Sequence, residues 1–360
     1  MRDGMNYAPE GRPNPVCGPG DFVFAATSLD HGHIFGMCNG LMEAGADLRW
    51  VYDPDPGKVA AFRAKYPLVR TAVSVQQILD DPEVRMVAAA AVPSQRAELG
   101  LRVLSHGKHY FTDKGPLTTL EQLERVRAGV RETGRKYAVY YSERLHVESA
   151  VFAGQLIAEG AIGRVLQVIG LGPHRLNPSS RPAWFFVREQ YGGILCDIGS
   201  HQVEQILHYT QALGGSVVAS QVANHHHPDY PELEDFGDSL LALDNGASGY
   251  FRVDWFTPDG LGTWGDGRTV ILGTEGYIEL RKYIDVGRDP EGDQVYLVNG
   301  EGAFHIPVKG KVGYPFFGQL ILDCLEGTER AMSQDHALLA AEMALVAQRD
   351  AKRIGVGTVE

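Results

Sequence analysis

From Asp21 to Tyr141 the chain alternates short apolar runs with longer stretches in which apolar residues recur every three or four positions. The runs Phe22–Ala26, Leu48–Tyr52, Met86–Ala91, His109–Thr112 and Tyr137–Tyr141 have strand length, and His33–Ala44, Lys58–Lys65, Ser94–Ser105 and Thr119–Thr133 have helical period. Strands apolar at nearly every position are covered on both faces, and strict strand–helix alternation makes them parallel. The pattern predicts a Rossmann-type dinucleotide-binding domain over residues 21–143, preceded by an extension, 1–20.

After Arg144 the rhythm changes. A helical period covers Val147–Glu159, a strand follows at Arg164–Gly170, and a Pro-rich, aromatic loop leads into one helix expected to carry both Asp197 and His201. Five further runs, Val217–Ala223, Ser239–Leu243, Gly249–Val253, Thr269–Leu272 and Tyr277–Arg281, are joined by turns such as Asp244-Asn245-Gly246, which predicts a mainly antiparallel open sheet. Helices at Phe316–Leu325 and Gln334–Lys352 are expected to pack on one side of it. The fold class read from this is α/β: a Rossmann domain followed by an α+β domain, residues 144–360.

Composition narrows the function. A chain of 360 residues that is 44% apolar can build two cores, and a formal charge of -12 leaves no basic stripe for nucleic acid. The first residues are rich in Gly and Pro without an export signal, and no apolar run approaches the roughly 20 residues of a membrane span, so a cytoplasmic protein is expected. Cys17, Cys38, Cys196 and Cys324 lack metal-ligand or redox spacing and read as packing residues.

Candidate chemistry concentrates in three places. In GGILCDIGSHQVEQ, residues 192–205, Asp197 and His201 are one helical turn apart and face the same side; alone, such a pair is more often a surface pair. Lys114 ends a strand in YFTDKGPL. In DFVFAATSLDHGHIFG the three glycine positions of a dinucleotide turn fall on Thr27, Leu29 and Gly32, so only the last is glycine, with Ser28, His31 and His33 in the same turn. Asp53 ends the next strand, where a carboxylate bonds ribose hydroxyls and repels a 2'-phosphate, favouring NAD over NADP; the competing reading makes it the opening residue of an Asp-Pro-Asp-Pro turn. His225-His226-His227 lack convergent ligand geometry, so no metal is expected.

With these residues in hand, the chain resembles the Gfo/Idh/MocA family of glucose-fructose oxidoreductases and inositol dehydrogenases from Asp21 to about Arg353. TDKGPLTTLEQL lines up with the family's Glu-Lys-Pro motif, giving Asp113 and Lys114, with Gly115 in place of proline. Ala91-Val92-Pro93-Ser94 resembles its Thr-Pro-Asn-like loop, GGILCDIGSHQVEQ its Gly-Gly to Asp to His motif, and ILGTEGYIEL its Gly-Thr-Glu-Gly strand. The resemblance implies that Lys114, Asp197 and His201 are catalytic, and that Ser28, Leu29, His31, Gly32, His33, Asp53, Val92, Pro93, Ser94, Asp113 and Lys114 contact the cofactor.

The same resemblance places a sugar or polyol against the second domain, with Arg144, His174, Arg175, Arg181 and Trp184 as substrate candidates. Arginine offers a fork to hydroxyl pairs and tryptophan a stacking face, although Trp184 with Phe185 and Phe186 serves equally well as core. Three functions stay open: an NAD-dependent sugar or polyol dehydrogenase, a glycoside-processing enzyme that keeps its NAD, and a dinucleotide sensor without chemistry. An open sheet needs its apolar face covered, so a homodimer or homotetramer through that sheet is expected.

Overall fold

The computed structural model describes residues 4–355. Contacts group the described residues into two compact units: Met5–Tyr140 with Tyr314–Leu338, and Tyr141–Gly313 with Gly4 and residues 339–355.

The first unit alternates β1 (Val23–Thr27), α1 (His33–Glu43), β2 (Asp47–Tyr52), α2 (Pro56–Lys65), β3 (Arg70–Thr71), α3 (Val75–Asp80), β4 (Val84–Ala89), α4 (Arg96–Ser105), β5 (His109–Asp113), α5 (Leu120–Thr133) and β6 (Tyr137–Tyr140). The strands lie in the order β3-β2-β1-β4-β5-β6, all parallel, so the order reverses beside β1, where α/β sheets of this kind open a crevice for ligands. β1 is buried at every position, as its unbroken apolar sequence requires. Side-chain caps start three helices: Asp55 accepts from Gly57 N–H, Ser74 from Gln77 N–H and Thr119 from Gln122 N–H. β3 and α3 went unpredicted because two and six residues are too short to show a period.

Two further segments join this unit. The early chain runs as a strap along α1: Asn39 donates to the Pro9 carbonyl, Gly11 N–H to the Glu43 carboxylate, and Asn14 and Val16 N–H to the carbonyls of Glu43 and Ala44. Downstream, α11 (Pro315–Glu326) sets Phe317 against Gly40 of α1, with Phe111 and Tyr140 around it; a Cβ at residue 40 would overlap the phenyl ring. Residues 314–338 thus group with the Rossmann sheet, whereas the sequence pattern assigned them to 144–360.

The second unit opens with α6 (Ser142–Leu145) and α7 (Glu148–Ala158), then β7 (Val165–Pro173), α8 (Arg188–Tyr191), α9 (Ile194–Asp197) and α10 (Gly199–Thr210). There follow β8 (Gly215–Ala223), β9 (Phe236–Leu243), β10 (Ser248–Asp254), β11 (Arg268–Gly273), β12 (Gly276–Arg281), β13 (Gln294–Asn299) and β14 (Gly302–Pro307); β15 (Lys352–Arg353) comes after α12 (Gln334–Asp350), of which the residues from Leu339 on belong to this unit. The nine strands form one mixed sheet, β14-β13-β12-β11-β7-β10-β9-β8-β15, with β7–β10 and β8–β15 parallel and the other pairs antiparallel. β13, β14 and β15 were not anticipated. α10 lies on β7 and β10 because glycines clear its path: Gln202 occupies the space over Gly170 and Gly172, and Ile206 that over Gly249. Among the described residues no helix is long and apolar enough to cross a membrane.

Candidate active site

The turn after β1 departs from glycine chemistry. Its left-handed residue is Ser28, at φ 53°, rather than either expected glycine position. Such a conformation costs a non-glycine residue on the order of 1 kcal/mol, and bonds on both sides hold it: Ser28 N–H donates to Tyr52 O, and Ala90 N–H to Ser28 O. Asp53 is buried at the end of β2 and accepts from Leu29 N–H at 2.7 Å and Asp55 N–H at 2.9 Å. Each carboxylate oxygen keeps a further lone pair, so Asp53 can serve both the turn and a ribose diol. Those features fit the adenosine half of a dinucleotide.

A buried cluster lies behind the turn. His33 Nδ1 is 2.8 Å from Asp113 Oδ1, His31 Nδ1 is 3.3 Å from Oδ2, and Arg96 reaches the same Oδ2 at 3.4 Å. Burial would raise the Asp113 carboxyl, but His33, His31 and Arg96 together hold it well below the usual carboxylate range. Burial, and then the neighbouring His33, pushes His31 well down, leaving it neutral near pH 7. His31, His33 and Asp113 present ligand atoms within 4.8 Å of one another, the spacing a metal ion needs, yet the Arg96 guanidinium already supplies the cation there. Lys114 follows directly; it is buried, and its N–H donates to Asp113 Oδ1 at 2.8 Å. Val92 and Pro93 are buried after β4, and the Ser94 carbonyl accepts from Gln122 Nε2.

Asp197 and His201 do not share one helix. α9 ends at Asp197, Ile198 interrupts it, and α10 starts at Gly199; His201 N–H bonds the Ile198 carbonyl, a tighter turn than the α-helix makes. The Ser200 hydroxyl takes the Asp197 carbonyl that the break releases. Both site residues are buried, with Tyr141 edge-on to the His201 ring at 6.3 Å. What aims this segment is far away in sequence: Glu234 accepts from Ile194 N–H at 3.0 Å, Gln348 Oε1 from Leu195 N–H at 2.9 Å, and Gln348 donates to Glu234. Gly192 and Gly193 lead in at φ 85° and 95°, and a Cβ at residue 193 would overlap the Gln348 amide.

The substrate candidates are placed as follows. Arg144 is buried in a forked ion pair with Glu204, its Nε 2.8 Å and 2.9 Å from the two oxygens. Arg175 donates to the carbonyls of Pro258 and Leu261, and Arg181 to those of Leu176 and Arg175 while lying over Phe185 and Trp255. Both guanidiniums therefore staple loops. Trp184 is half-buried against Phe185. His174 sits between Trp255 and Trp264 with Nε2 3.6 Å from Glu143.

Glu143 opens a network that the sequence did not signal. It accepts from Gln202 at 2.8 Å and faces Lys282 at 3.4 Å, with no hydrogen bond to its buried Oε1. Burial lowers the Lys282 ammonium against the opposing pull of Glu143. The histidine tract is a different matter. Asp235 accepts from the N–H groups of His225 and His226 and contacts the His227 ring at 2.8 Å, so the tract is the anchor of a loop.

A Rossmann sheet with an acidic β2 end and a strand-end lysine, joined to a second unit whose mixed sheet carries a Gly-Gly-led Asp/His segment, defines a dinucleotide-dependent class of protein. Residues 33–141 match the profile of the oxidoreductase family with NAD-binding Rossmann fold, and 151–279 the Gfo/Idh/MocA C-terminal domain. The chain belongs to the Gfo/Idh/MocA family of oxidoreductases. A crystal structure of a putative oxidoreductase from Erwinia carotovora atroseptica is 53% identical, covers 92% of this chain and 99% of that one, and superposes with a TM-score of 0.90. D-xylose dehydrogenase of Paenarthrobacter nicotinovorans is 27% identical over 150 residues, 40% of this chain and 38% of that protein. The NAD-dependent scyllo-inositol 2-dehydrogenase of Bacillus subtilis is 26% identical over 239 residues, 65% and 66% of the two. The alignments thus span less than two thirds of either curated relative.

Proposed function

We propose that this protein transfers a hydride between NAD and a secondary alcohol of a sugar, polyol or sugar derivative. The observation that carries the reading is the presence, in one chain, of the buried Asp53 and Lys114 at strand ends of a Rossmann sheet and of Asp197 and His201 behind Gly192-Gly193. A bound nicotinamide supplies the hydride acceptor. Asp53 holds the adenosine ribose and disfavours a 2'-phosphate, hence NAD over NADP. His201 removes the hydroxyl proton, a role suited to imidazole, whose ordinary range brackets neutral pH. Lys114 bonds the same oxygen and stabilises its developing negative charge. Asp197 orients the imidazole and raises its affinity for the proton. His174 and Glu143 face a further hydroxyl.

The test is absorbance at 340 nm with NAD and NADP against D-xylose, scyllo-inositol, other aldoses, uronates and glycosides. Reduction of NAD that Lys114→Ala and His201→Ala each lower by about 10³-fold or more is expected. NAD binding without reduction by any alcohol would overturn the dehydrogenase. One observation favours a second reading, turnover with retained NAD: the Met5 carbonyl and Asn6 of the strap sit on Gly32 at the start of α1. Glycoside conversion without added cofactor marks that case.

We also propose that the open sheet face mediates self-association. Leu240 of β9, Leu272 of β11, Tyr277 of β12 and Phe304 of β14 stand 39–44% exposed along the sheet, and Leu272 pairs directly with Tyr277. Sedimentation is expected to give a dimer or tetramer that Leu272→Asp shifts to monomer; an unshifted assembly would place the interface elsewhere.

A further inference from the structure

We propose that Arg96 is a positioning residue for Lys114, fixing its backbone in place of the stiffness that Gly115 cannot supply; the inference rests on Lys114 acting in the reaction proposed above. Gly115 stands at φ 63°. A proline, locked near φ −65°, is incompatible with that conformation, and glycine leaves the Lys114–Gly115 peptide the widest choice of alternatives. A lysine that must meet one oxygen atom therefore needs its backbone fixed by something outside the loop.

Arg96 does this from the first turn of α4. It is 1% exposed, and each of its three nitrogens has a partner. Nε donates to the Ala91 carbonyl at 2.7 Å, Nη1 to the carbonyls of both Lys114 and Gly115, and Nη2 lies 3.4 Å from Asp113 Oδ2. One planar group thus ties the loop after β4 to the loop after β5. The Lys114 main chain is held from both sides, its N–H by Asp113 and its carbonyl by Arg96, while Asp113 is braced by His33. Arginine suits the task because its donors form a rigid fork that stays charged when buried; a lysine ammonium at the same place has three donors on a flexible stem and cannot hold all the carbonyls in one plane. The burial of this cation is also accounted for, since the carbonyl dipoles and the Asp113 carboxylate surround it. Arg96 has no need to touch substrate or cofactor; it acts through Lys114.

The test uses the full-length protein with its lysines dimethylated by ¹³C-formaldehyde, observed with and without NAD, the Lys114 resonance being assigned by its loss in Lys114→Ala. In Arg96→Met the Lys114 resonance is expected to shift or broaden beyond its line width while the other lysine resonances stay put. For whichever alcohol of the panel reduces NAD, kcat falls about 10- to 100-fold, the size of effect a misplacement near 1 Å produces, with KM for NAD changed less than about threefold. Arg96→Lys recovers part of both signals. An unmoved Lys114 resonance in a cooperatively melting Arg96→Met protein overturns the proposal. If Arg96→Met does not fold, Arg96→Lys carries the test by itself: a partial shift supports the clamp, and a lowered kcat with an unmoved resonance overturns it. Full activity in Lys114→Ala would remove the reading of Lys114 instead, whatever its resonance does when Arg96 changes.

Discussion

Lys114 and the Asp197–His201 pair are held by opposite strategies. Lys114 stands just past the end of a strand, and its main chain is held by near neighbours in the same unit: Asp113 beside it and Arg96 eighteen residues earlier, at the start of α4. Asp197 and His201 lie on a broken helix whose start is tied by Glu234 from the approach to β9 and by Gln348 from the end of α12, the latter bond spanning 153 residues. The first arrangement is local, its main-chain ties lying between residues 91 and 115. The second needs α12 in place for the first N–H groups of α9, the short helix that carries Asp197, to be satisfied. Four unpaired N–H groups begin every helix, and here a carboxylate and an amide bring two of them into register.

The sharpest way to break the contrast is to add one methyl group to each side. Gly193 lies at φ 95°, ψ 158°, a region open essentially to glycine alone, and its missing Cβ is where the Gln348 amide sits. That amide cannot swing away without releasing Leu195 and Glu234. Gly193→Ala is expected to cost about 3–5 kcal/mol, the sum of backbone strain and overlap. Gly115 sits at φ 63°, in the ordinary left-handed region, so Gly115→Ala is expected to cost only about 1 kcal/mol. Urea melts of the two variants decide the matter; equal losses would mean that the second site is not set by Gln348.

The same contrast explains which parts of the molecule the sequence discloses. Five of the six strands of the first sheet were legible from their short apolar runs, unbroken in β1, and Lys114 with Asp53 could be read as the polar residues that follow such runs. β14 escaped because a half-exposed edge strand, Gly302–Pro307, lacks a clean alternation, and β13 beside it is also irregular in burial. The helix break at Ile198 leaves no trace either, since Asp197-Ile198-Gly199-Ser200 keeps a helical spacing. Arg96 read as one more charge on an amphipathic helix, and nothing in a lone arginine announces four buried partners. Arg175 and Arg181 were read by residue type as suited to a substrate carboxylate or diol, and nothing in the sequence signals that each also donates to loop carbonyls. Glu234 and Gln348 are 114 residues apart, and no local pattern links them.

Effects well below that of Gly193→Ala separate the two units by pH. In the first, burial, then Arg135 and Lys136, pushes His109 from 6.5 down to about 4, and the ring accepts from Lys136 N–H. The folded form therefore binds fewer protons than the unfolded chain across that window, so the stability His109 contributes is present above pH 6.5 and is lost as pH falls through about 4. In the second, burial raises Asp293 from 3.8 to about 6, although it accepts from Ser149 N–H at 2.8 Å. Here the folded form holds the proton more tightly, so the stabilisation is complete below pH 3.8 and is lost as pH rises through about 6. Asp293→Asn keeps the acceptor and tolerates the left-handed φ of 58°, and removes the ionisation; it is expected to raise stability at pH 7 by about 1–2 kcal/mol, with little change at pH 4. His109→Gln acts the other way, weakening the acid-induced loss between pH 6.5 and 4 by a similar amount. Urea midpoints for both variants at pH 4.5 and 7 provide the check. Opposite changes in pH slope are required; slopes that move together would mean the two buried groups titrate through one shared transition rather than each in its own surroundings.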